Sequence, residues 1–424
     1  MSIASTSANN PPSVLLVGGG IGGMAAALAL ARLGLGVELL EQSAALGEIG
    51  AGLQLGPNAF AALEALGVGE AVRAGAVFTD RLVMMDAVDC SEVASVPVGD
   101  AFRARFRNPY AVSHRADLHG ALFEAVRRQP LIRVHTGAQI DVLELGGAQV
   151  RAAARDGRLF TGDAVVGCDG VKSVVRAKLI GDAPRVSGHV VYRAVVPAED
   201  MPADLRWNAP VVWAGPNCHL VHYPLRHGEQ YNLVVTFHSR DKEQWGVSDG
   251  SKAEVMSYFD GVHARPRQLL DRPTSWRRWS TADRDPVANW SEGHATLLGD
   301  AAHPMMQYLA QGACMALEDA VTLGAAVQAC RSDTGRFDLP AAFRLYASAR
   351  VARTARVVLS VREMGRLYHA GGVERRVRNS LWAGRTPERF YDAVEWLYAW
   401  RPERCLDDAD AALRASARDL QMAT

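Results

Sequence analysis

No C-x-x-C pair occurs in the sequence. Its six cysteines, Cys90, Cys168, Cys218, Cys314, Cys330 and Cys405, are scattered. Their scatter argues against a redox dithiol, a cysteine-built metal site and a disulfide framework, and it implies a reducing, cytoplasmic setting with no metal. Net charge is also missing: 46 basic and 46 acidic residues cancel. No basic stripe with interleaved aromatics is present, so nucleic acid is not an expected partner. The longest apolar stretch, Met24 to Leu40, is broken by Arg32, Gly34, Gly36 and Glu38. It cannot cross about 30 Å of hydrocarbon unbroken, so no membrane span is expected. Met1 to Pro12 has neither a basic start nor an apolar core and reads as a disordered tail. What remains is globular: 49% hydrophobic and 22% charged over 424 residues, a size that suggests two to three domains at roughly 150 residues each.

Val14 to Val17 is a short apolar run that meets a glycine cluster, and an Ala/Leu-rich stretch from Met24 to Leu33 and a second apolar run from Val37 to Leu40 follow. This reads as buried strand, tight turn, helix and parallel strand, a βαβ unit. Leu118 to Arg128 has helical patterning. Ile132 to Thr136, Ile140 to Leu145, Val150 to Ala154 and Ala164 to Cys168 read as strands, the middle ones as a small antiparallel insertion. From Val186 to Phe237 the pattern changes to short alternating strands separated by turn signals such as Gly215-Pro216-Asn217, which predicts an antiparallel sheet. At Ala295 to Leu298 the buried-strand pattern returns, and a long helix from Gly312 to about Ala329 follows. Beyond Phe337 the chain reads as helical, with a Trp396, Tyr398 and Trp400 cluster suited to covering the sheet or to a subunit contact.

Gly18, Gly20 and Gly23 satisfy G-x-G-x-x-G between the first strand and helix, with Ile21 and Gly22 inside the motif. Gly18 serves the tight turn, Gly20 lets the backbone approach a pyrophosphate, Gly23 lets the helix pack close, and the helix N-terminus supplies donors and a positive dipole end. Glu41, followed by Gln42, ends the second strand, where a carboxylate accepts from ribose hydroxyls. A dinucleotide is therefore the expected ligand. Cys168-Asp169-Gly170 and Gly299-Asp300 each follow an apolar run. Taken alone, each would read as a strand-ending turn.

Together, in this order and spacing, the three segments resemble the fingerprints of the class A flavoprotein aromatic hydroxylases, single-component monooxygenases that use FAD, a nicotinamide cofactor and O2. The likeness extends over the chain to about residue 330 and fades in the C-terminal helices. It implies an α/β architecture: a Rossmann-like FAD-binding domain from residues 13–80, 105–185 and 290–330, and a discontinuous antiparallel-sheet substrate domain from 81–104 and 186–289. A C-terminal helical region, 331–424, completes it. By this likeness Gly18 to Gly23, Glu41 and Gln42 hold the ADP half of FAD. Asp169 lies by the pyrophosphate and the nicotinamide path, Asp300 at the ribityl or pyrophosphate region, and Arg115, in His114-Arg115-Ala116-Asp117-Leu118, at the flavin chain. Gly52, Leu53 and Gln54 pass the isoalloxazine ring, and the helix beginning Gly312-Ala313 points its N-terminus at the flavin, whose reduced form carries charge that such an end stabilises. Only one glycine-rich fingerprint is present, so the resemblance implies tightly bound FAD and a transient NADH, with NADPH also open.

Asn217 to Leu225 reads as a strand, and period two puts His219, Val221 and Tyr223 on one face, with Cys218, Leu220 and His222 on the other. A histidine and a tyrosine on one half-apolar face suit a phenolic acid, the imidazole taking or polarising the phenol proton. Where many family members have a proline, this chain has Gln307, followed by Ala310-Gln311-Gly312, and Cys314 replaces the usual Asn. Within the family, Gln307-Tyr308-Leu309 with His219 and Tyr223 looks most similar to the 3-hydroxybenzoate 6-hydroxylases, with salicylate and 6-hydroxynicotinate hydroxylases as near neighbours. That likeness implies para-hydroxylation through a C4a-hydroperoxyflavin, giving 2,5-dihydroxybenzoate (gentisate). His219 is then the polarising base, Gln307 a positioning group, and Tyr223, Tyr110 and Val221 pocket residues. The expected partners are a small aromatic acid and a second copy in a homodimer. A flavin-binding sensor without turnover is the alternative of another class.

Overall fold

In the computed structural model, residues 12–47, 52–147 and 149–409 are described. The expected tail before Pro12, the start of the ring-side loop (48–51) and the end of the C-terminal region lie outside them. Ser13–Val17 runs inside a five-stranded parallel sheet, flanked by Gly36–Leu40 and Ala164–Gly167, with Ile132–His135 and Ala295–Leu297 at the edges. Residues 14–17 and Ala164–Gly167, at the sheet's centre, are covered on both faces, which is why they read as continuous apolar runs. The fingerprint helix, Ile21–Ala31, is apolar nearly all round because it is enclosed between this sheet and the long helix Gly312–Ala329. The two helices approach closely: a Cβ built on Gly324 would stand 3.2 Å from that of Ala29.

The expected small insertion is a three-stranded antiparallel sheet of Ile140–Glu144, Val150–Ala154 and Leu159–Gly162. An eight-stranded sheet forms the second layer, with Arg185–Pro197, Gln230–His238, Cys218–Leu225 and Val211–Gly215 side by side, then Arg81–Asp86 and Glu92–Pro97. It departs from the expected antiparallel pattern at one pair, since Val211–Gly215 and Arg81–Asp86 run parallel. They are far apart in the chain, and only strands joined by short hairpins are obliged to run antiparallel. The outer face of this sheet buries Trp213, Cys218, Leu220, Leu233 and Phe237 in a core of their own.

Arg115–Arg127 is a helix starting three residues before the sequence pattern suggested, because the His114 ring caps it by accepting from the Ala116 N–H at 3.2 Å. The C-terminal helices are Leu339–Tyr368, Gly372–Trp382 and Pro387–Tyr398. Tyr398 and Trp400 of their aromatic cluster pack inside the chain. Tyr398 and Tyr391 pack edge-on against Phe102 and Phe106, and Trp400 is buried in the first core.

Candidate active site

The two sheets and the C-terminal helices enclose a cavity of about 1380 Å³. Its wall at one end is the glycine fingerprint. Gly18 has φ +108°, and a Cβ there would lie 2.3 Å from the Cys168 carbonyl oxygen; one on Gly23 would lie 1.9 Å from the carbonyl oxygen of Gly18. These two positions admit no side chain, whereas a Cβ on Gly20 meets nothing within 4 Å because it faces the cavity. Ile21, Gly22, Glu41 and Gln42 line the same end, and Gly23 lies behind it. Glu41 accepts from the N–H of Gly19 at 2.7 Å and of Ser43 at 2.8 Å, which fixes its carboxylate at the strand end. The unsatisfied N–H groups of the helix start face the same space.

Further along, Arg115, Asp169, Asp300, Gly312 and Ala313 line the cavity. Asp169 Oδ2 accepts from the Val174 N–H at 2.7 Å, while its Oδ1 is buried without a partner. Burial raises its pKa, against the hydrogen bonds from Ser173 and Val174. Asp300 projects into the cavity yet is surrounded by protein, and this enclosure raises its pKa, opposed by the charges of His303 and Arg115. Beneath it, Asp319 holds the turn, accepting from the Gly299 N–H at 3.0 Å and pairing with His303 Nε2 at 2.6 Å and Arg350 Nε at 2.6 Å. A glycine cradle opening on empty space, an orphaned buried carboxylate oxygen and two helix N-termini fit an elongated dinucleotide such as FAD.

Gly52, Leu53 and Gln54 lie between this end and the large sheet. The Gly52 N–H donates to Asn232 Oδ1 at 2.9 Å, and a Cβ on Gly52 would stand 2.5 Å from the Tyr223 ring. Gln54 Oε1 accepts from the Tyr110 hydroxyl at 2.6 Å. Burial raises the pKa of both tyrosines, so each stays an O–H donor.

The strand Cys218–Leu225 divides as its period requires. His219, Val221 and Tyr223 face the cavity, and the opposite face enters the outer core. The two histidines of this strand differ accordingly. His222 is satisfied within the core, its Nε2 on the Leu205 carbonyl at 3.1 Å and its Nδ1 accepting from Trp213 Nε1 at 3.3 Å. His219, 2% exposed, uses Nδ1 on His369 Nε2 at 2.8 Å, which leaves Nε2 for the cavity. Burial, reinforced by the charge of His189, lowers its pKa to about 3 and keeps the ring neutral. Gln307 is anchored from the other side, its Nε2 donating to Thr236 Oγ1 at 3.1 Å and its amide oxygen remaining for a ligand.

Of the residues the sequence assigned to the cofactor or the substrate, all but Gly19 and Gly23 therefore border one cavity. Three contributors were not foreseen: Asn232 and Thr236 on the adjacent strand, and His369 at the end of the long C-terminal helix. Period two on Gln230–His238 places Asn232 and Thr236 on the cavity face with Val234. His369 had no local signal. Among the described residues no group of histidine, cysteine and carboxylate side chains could hold a metal ion.

The family model described as an FAD binding domain matches residues 12–359. A 3-hydroxybenzoate 6-hydroxylase of Klebsiella oxytoca is 61% identical over 93% of this chain and 98% of its own. One of Polaromonas naphthalenivorans is 60% identical over 93% and 97%. A 6-hydroxynicotinate 3-monooxygenase of Bordetella bronchiseptica is 32% identical over 82% and 89%. Among solved structures, a salicylate hydroxylase substrate complex superposes with a TM-score of 0.79 at 25% identity, covering 95% of this chain and 98% of that one. Klebsiella pneumoniae HpxO complexed with FAD and uric acid superposes at 0.77 with 24% identity, covering 90% and 95%.

Proposed function

Because this chain belongs to the FAD binding domain family, we propose that its reaction as an FAD-dependent aromatic-ring monooxygenase is the para-hydroxylation of 3-hydroxybenzoate to 2,5-dihydroxybenzoate. The observation that carries this reading is the neutral His219, whose Nε2 is left for the cavity that the fingerprint also opens on. The curated relatives at 60% identity and above, named 3-hydroxybenzoate 6-hydroxylases, support it.

FAD would lie from Gly20 and Glu41 past Arg115 and Asp300 to the Gly52–Gln54 strand, and when bound and reduced it supplies the oxygen transfer chemistry. The protein's share is proton control and positioning. His219 accepts the phenol proton at Nε2, which makes the ring electron-rich at the carbon para to the hydroxyl, C6 in 3-hydroxybenzoate. Gln307, held by Thr236, presents its amide oxygen to the ring, and Tyr223 donates its hydroxyl to the acid group. Tyr110 is tied to Gln54 and fixes the wall opposite. Met84, Val96, Phe102, Val212 and Val221 exclude water around the ring.

The same reading takes NADH as reductant, visiting without a nucleotide-binding domain of its own, and a cytoplasmic setting, supported by six unpaired cysteines. It also takes a homodimer, supported by the exposed Leu359, Leu367, Val373, Val377 and Leu381 on the C-terminal helices and tested by sedimentation. The catalytic reading is tested by NADH consumption of the FAD-loaded protein with 2-, 3- and 4-hydroxybenzoate and 6-hydroxynicotinate, with peroxide assayed in parallel. Fast consumption with little peroxide is expected for 3-hydroxybenzoate alone. Preference for salicylate or 6-hydroxynicotinate would reassign the substrate, and no acceleration by any ring would overturn the catalytic reading.

A further inference from the structure

His219, a cavity-wall residue, has a titratable ring outside the cavity lining as its polar partner. Its Nδ1 lies 2.8 Å from His369 Nε2, and His369 is absent from the cavity lining but partly exposed. The backbone locks this pair. His369 caps the helix Leu339–Tyr368, and its carbonyl accepts from the Asn217 N–H at 3.0 Å, just before the His219 strand begins. Two more imidazoles continue outward: His189 stacks on His369 with ring centres 5.4 Å apart, and His238, which is exposed, stands edge-on to His189 at 5.1 Å. The remaining groups around the array are Tyr308, bonded through its hydroxyl to His189 Nδ1, Tyr368 beside His219, and Asp283. Asp283 is already committed to Arg185 and Arg362. No carboxylate among the described residues therefore contacts His219 or His369 to hold a proton on them.

We propose that His369 is a positioning residue that takes the substrate's phenol proton on from His219 and releases it to water at the histidine-lined surface. The step balances as a proton shift. The phenol O–H breaks as N–H forms at His219 Nε2, the His219 Nδ1–H passes to His369 Nε2, and the His369 Nδ1–H is lost to solvent. Electrons stay where they are and nothing else is consumed. Burial makes the imidazolium costly on His219 and on His369 alike, so neither ring keeps the proton and the pair can only pass it outward. The inference rests on the reading of His219 as the base for a phenolic acid.

The test uses the FAD-loaded full chain with 3-hydroxybenzoate, NADH and O2, comparing wild type with His369→Gln and His369→Ala, the latter with and without added imidazole. Gln keeps a hydrogen-bonding partner for His219 Nδ1 but carries no proton onward. Expected is a fall of about tenfold or more in the hydroxylation rate of both variants, with peroxide released instead. KM should stay within about twofold, since the pocket itself is untouched, and imidazole should restore the Ala variant. Unchanged product and peroxide yields in His369→Gln overturn the relay, as does a loss in His369→Ala that imidazole does not reverse and that appears in KM. A wild type that fails to hydroxylate 3-hydroxybenzoate at all would instead overturn the underlying reading, and the relay with it.

Discussion

The Gly52 N–H donates to Asn232 Oδ1 over 2.9 Å, joining residues 180 positions apart. This bond fastens the strand that passes the cofactor space to the sheet that carries His219 and Tyr223. It makes the two halves of the site one rigid object rather than two facing walls. Asn232→Ala is expected to leave the Gly52 donor buried and unpaired, at a cost of about 1–3 kcal/mol. FAD affinity and the fraction of NADH converted to product should both fall, whereas Asn232→Asp, which keeps the acceptor, should lose less. Equal coupling in the Ala variant, measured as product per NADH, would contradict this role.

Gly20 and Gly23 are predicted to fail differently. A Cβ on Gly23 collides with the Gly18 backbone, so Gly23→Ala should lower the melting temperature of the apoprotein. A Cβ on Gly20 meets only open cavity. Gly20→Ala should melt as the parent does yet bind FAD more weakly, by about tenfold, equivalent to about 1.4 kcal/mol. Flavin fluorescence titration and thermal melting of the two variants distinguish them.

Arg350 is fully buried between Glu318 and Asp319, at 2.6 Å from each. Arg353 and Asn58 complete the network around Glu318. Arg350→Met removes the cation the two buried carboxylates share, leaving Glu318 to Arg353 and Asn58, and leaving Asp319, which supports the Gly299–Asp300 turn, to His303. A loss of about 3–5 kcal/mol in urea unfolding is expected, and a loss below about 1 kcal/mol would show that the remaining arginine compensates.

Five imidazoles shifted down chiefly by burial, those of His114, His189, His219, His222 and His369, set the acid limb of stability. Burial lowers His219 to about 3 and His189 and His222 to about 4, from an ordinary 6.5. Below pH 6.5 the unfolded chain takes up protons that the folded one refuses. Stability is thus complete above pH 6.5 and lost as pH falls toward 4, His222 alone contributing on the order of 3 kcal/mol. The raised carboxyls of Asp169 and Asp300 act the other way, at the lower end of that range. Urea unfolding from about pH 8 to about pH 4.5 should show a steady decline below 6.5, and a flat profile would contradict the buried neutral state.

How much of this was legible in the sequence follows the range of each interaction. The fingerprint turn, the period-two division of Cys218–Leu225 and the helix Gly312–Ala329 are local patterns, and the structure reproduces each. The parallel pairing of Val211–Gly215 with Arg81–Asp86 depends on which distant strands become neighbours, and no local pattern reports that. The same holds for Asn232 against Gly52 and His369 against His219, whose partners lie 180 and 150 residues away. The C-terminal aromatic cluster was legible only in part, for a related reason. A run such as Trp396, Tyr398 and Trp400 shows that a face is covered but not by what, and here Phe102 and Phe106 of the same chain cover part of it.

Which carbon of the ring receives oxygen is read most directly from the product of 3-hydroxybenzoate and NADH under ¹⁸O2, identified by chromatography and mass spectrometry. The expected product is 2,5-dihydroxybenzoate carrying one labelled oxygen, in near-stoichiometric yield on NADH. A 2,3- or 3,4-dihydroxybenzoate, or peroxide with no labelled product, would contradict it.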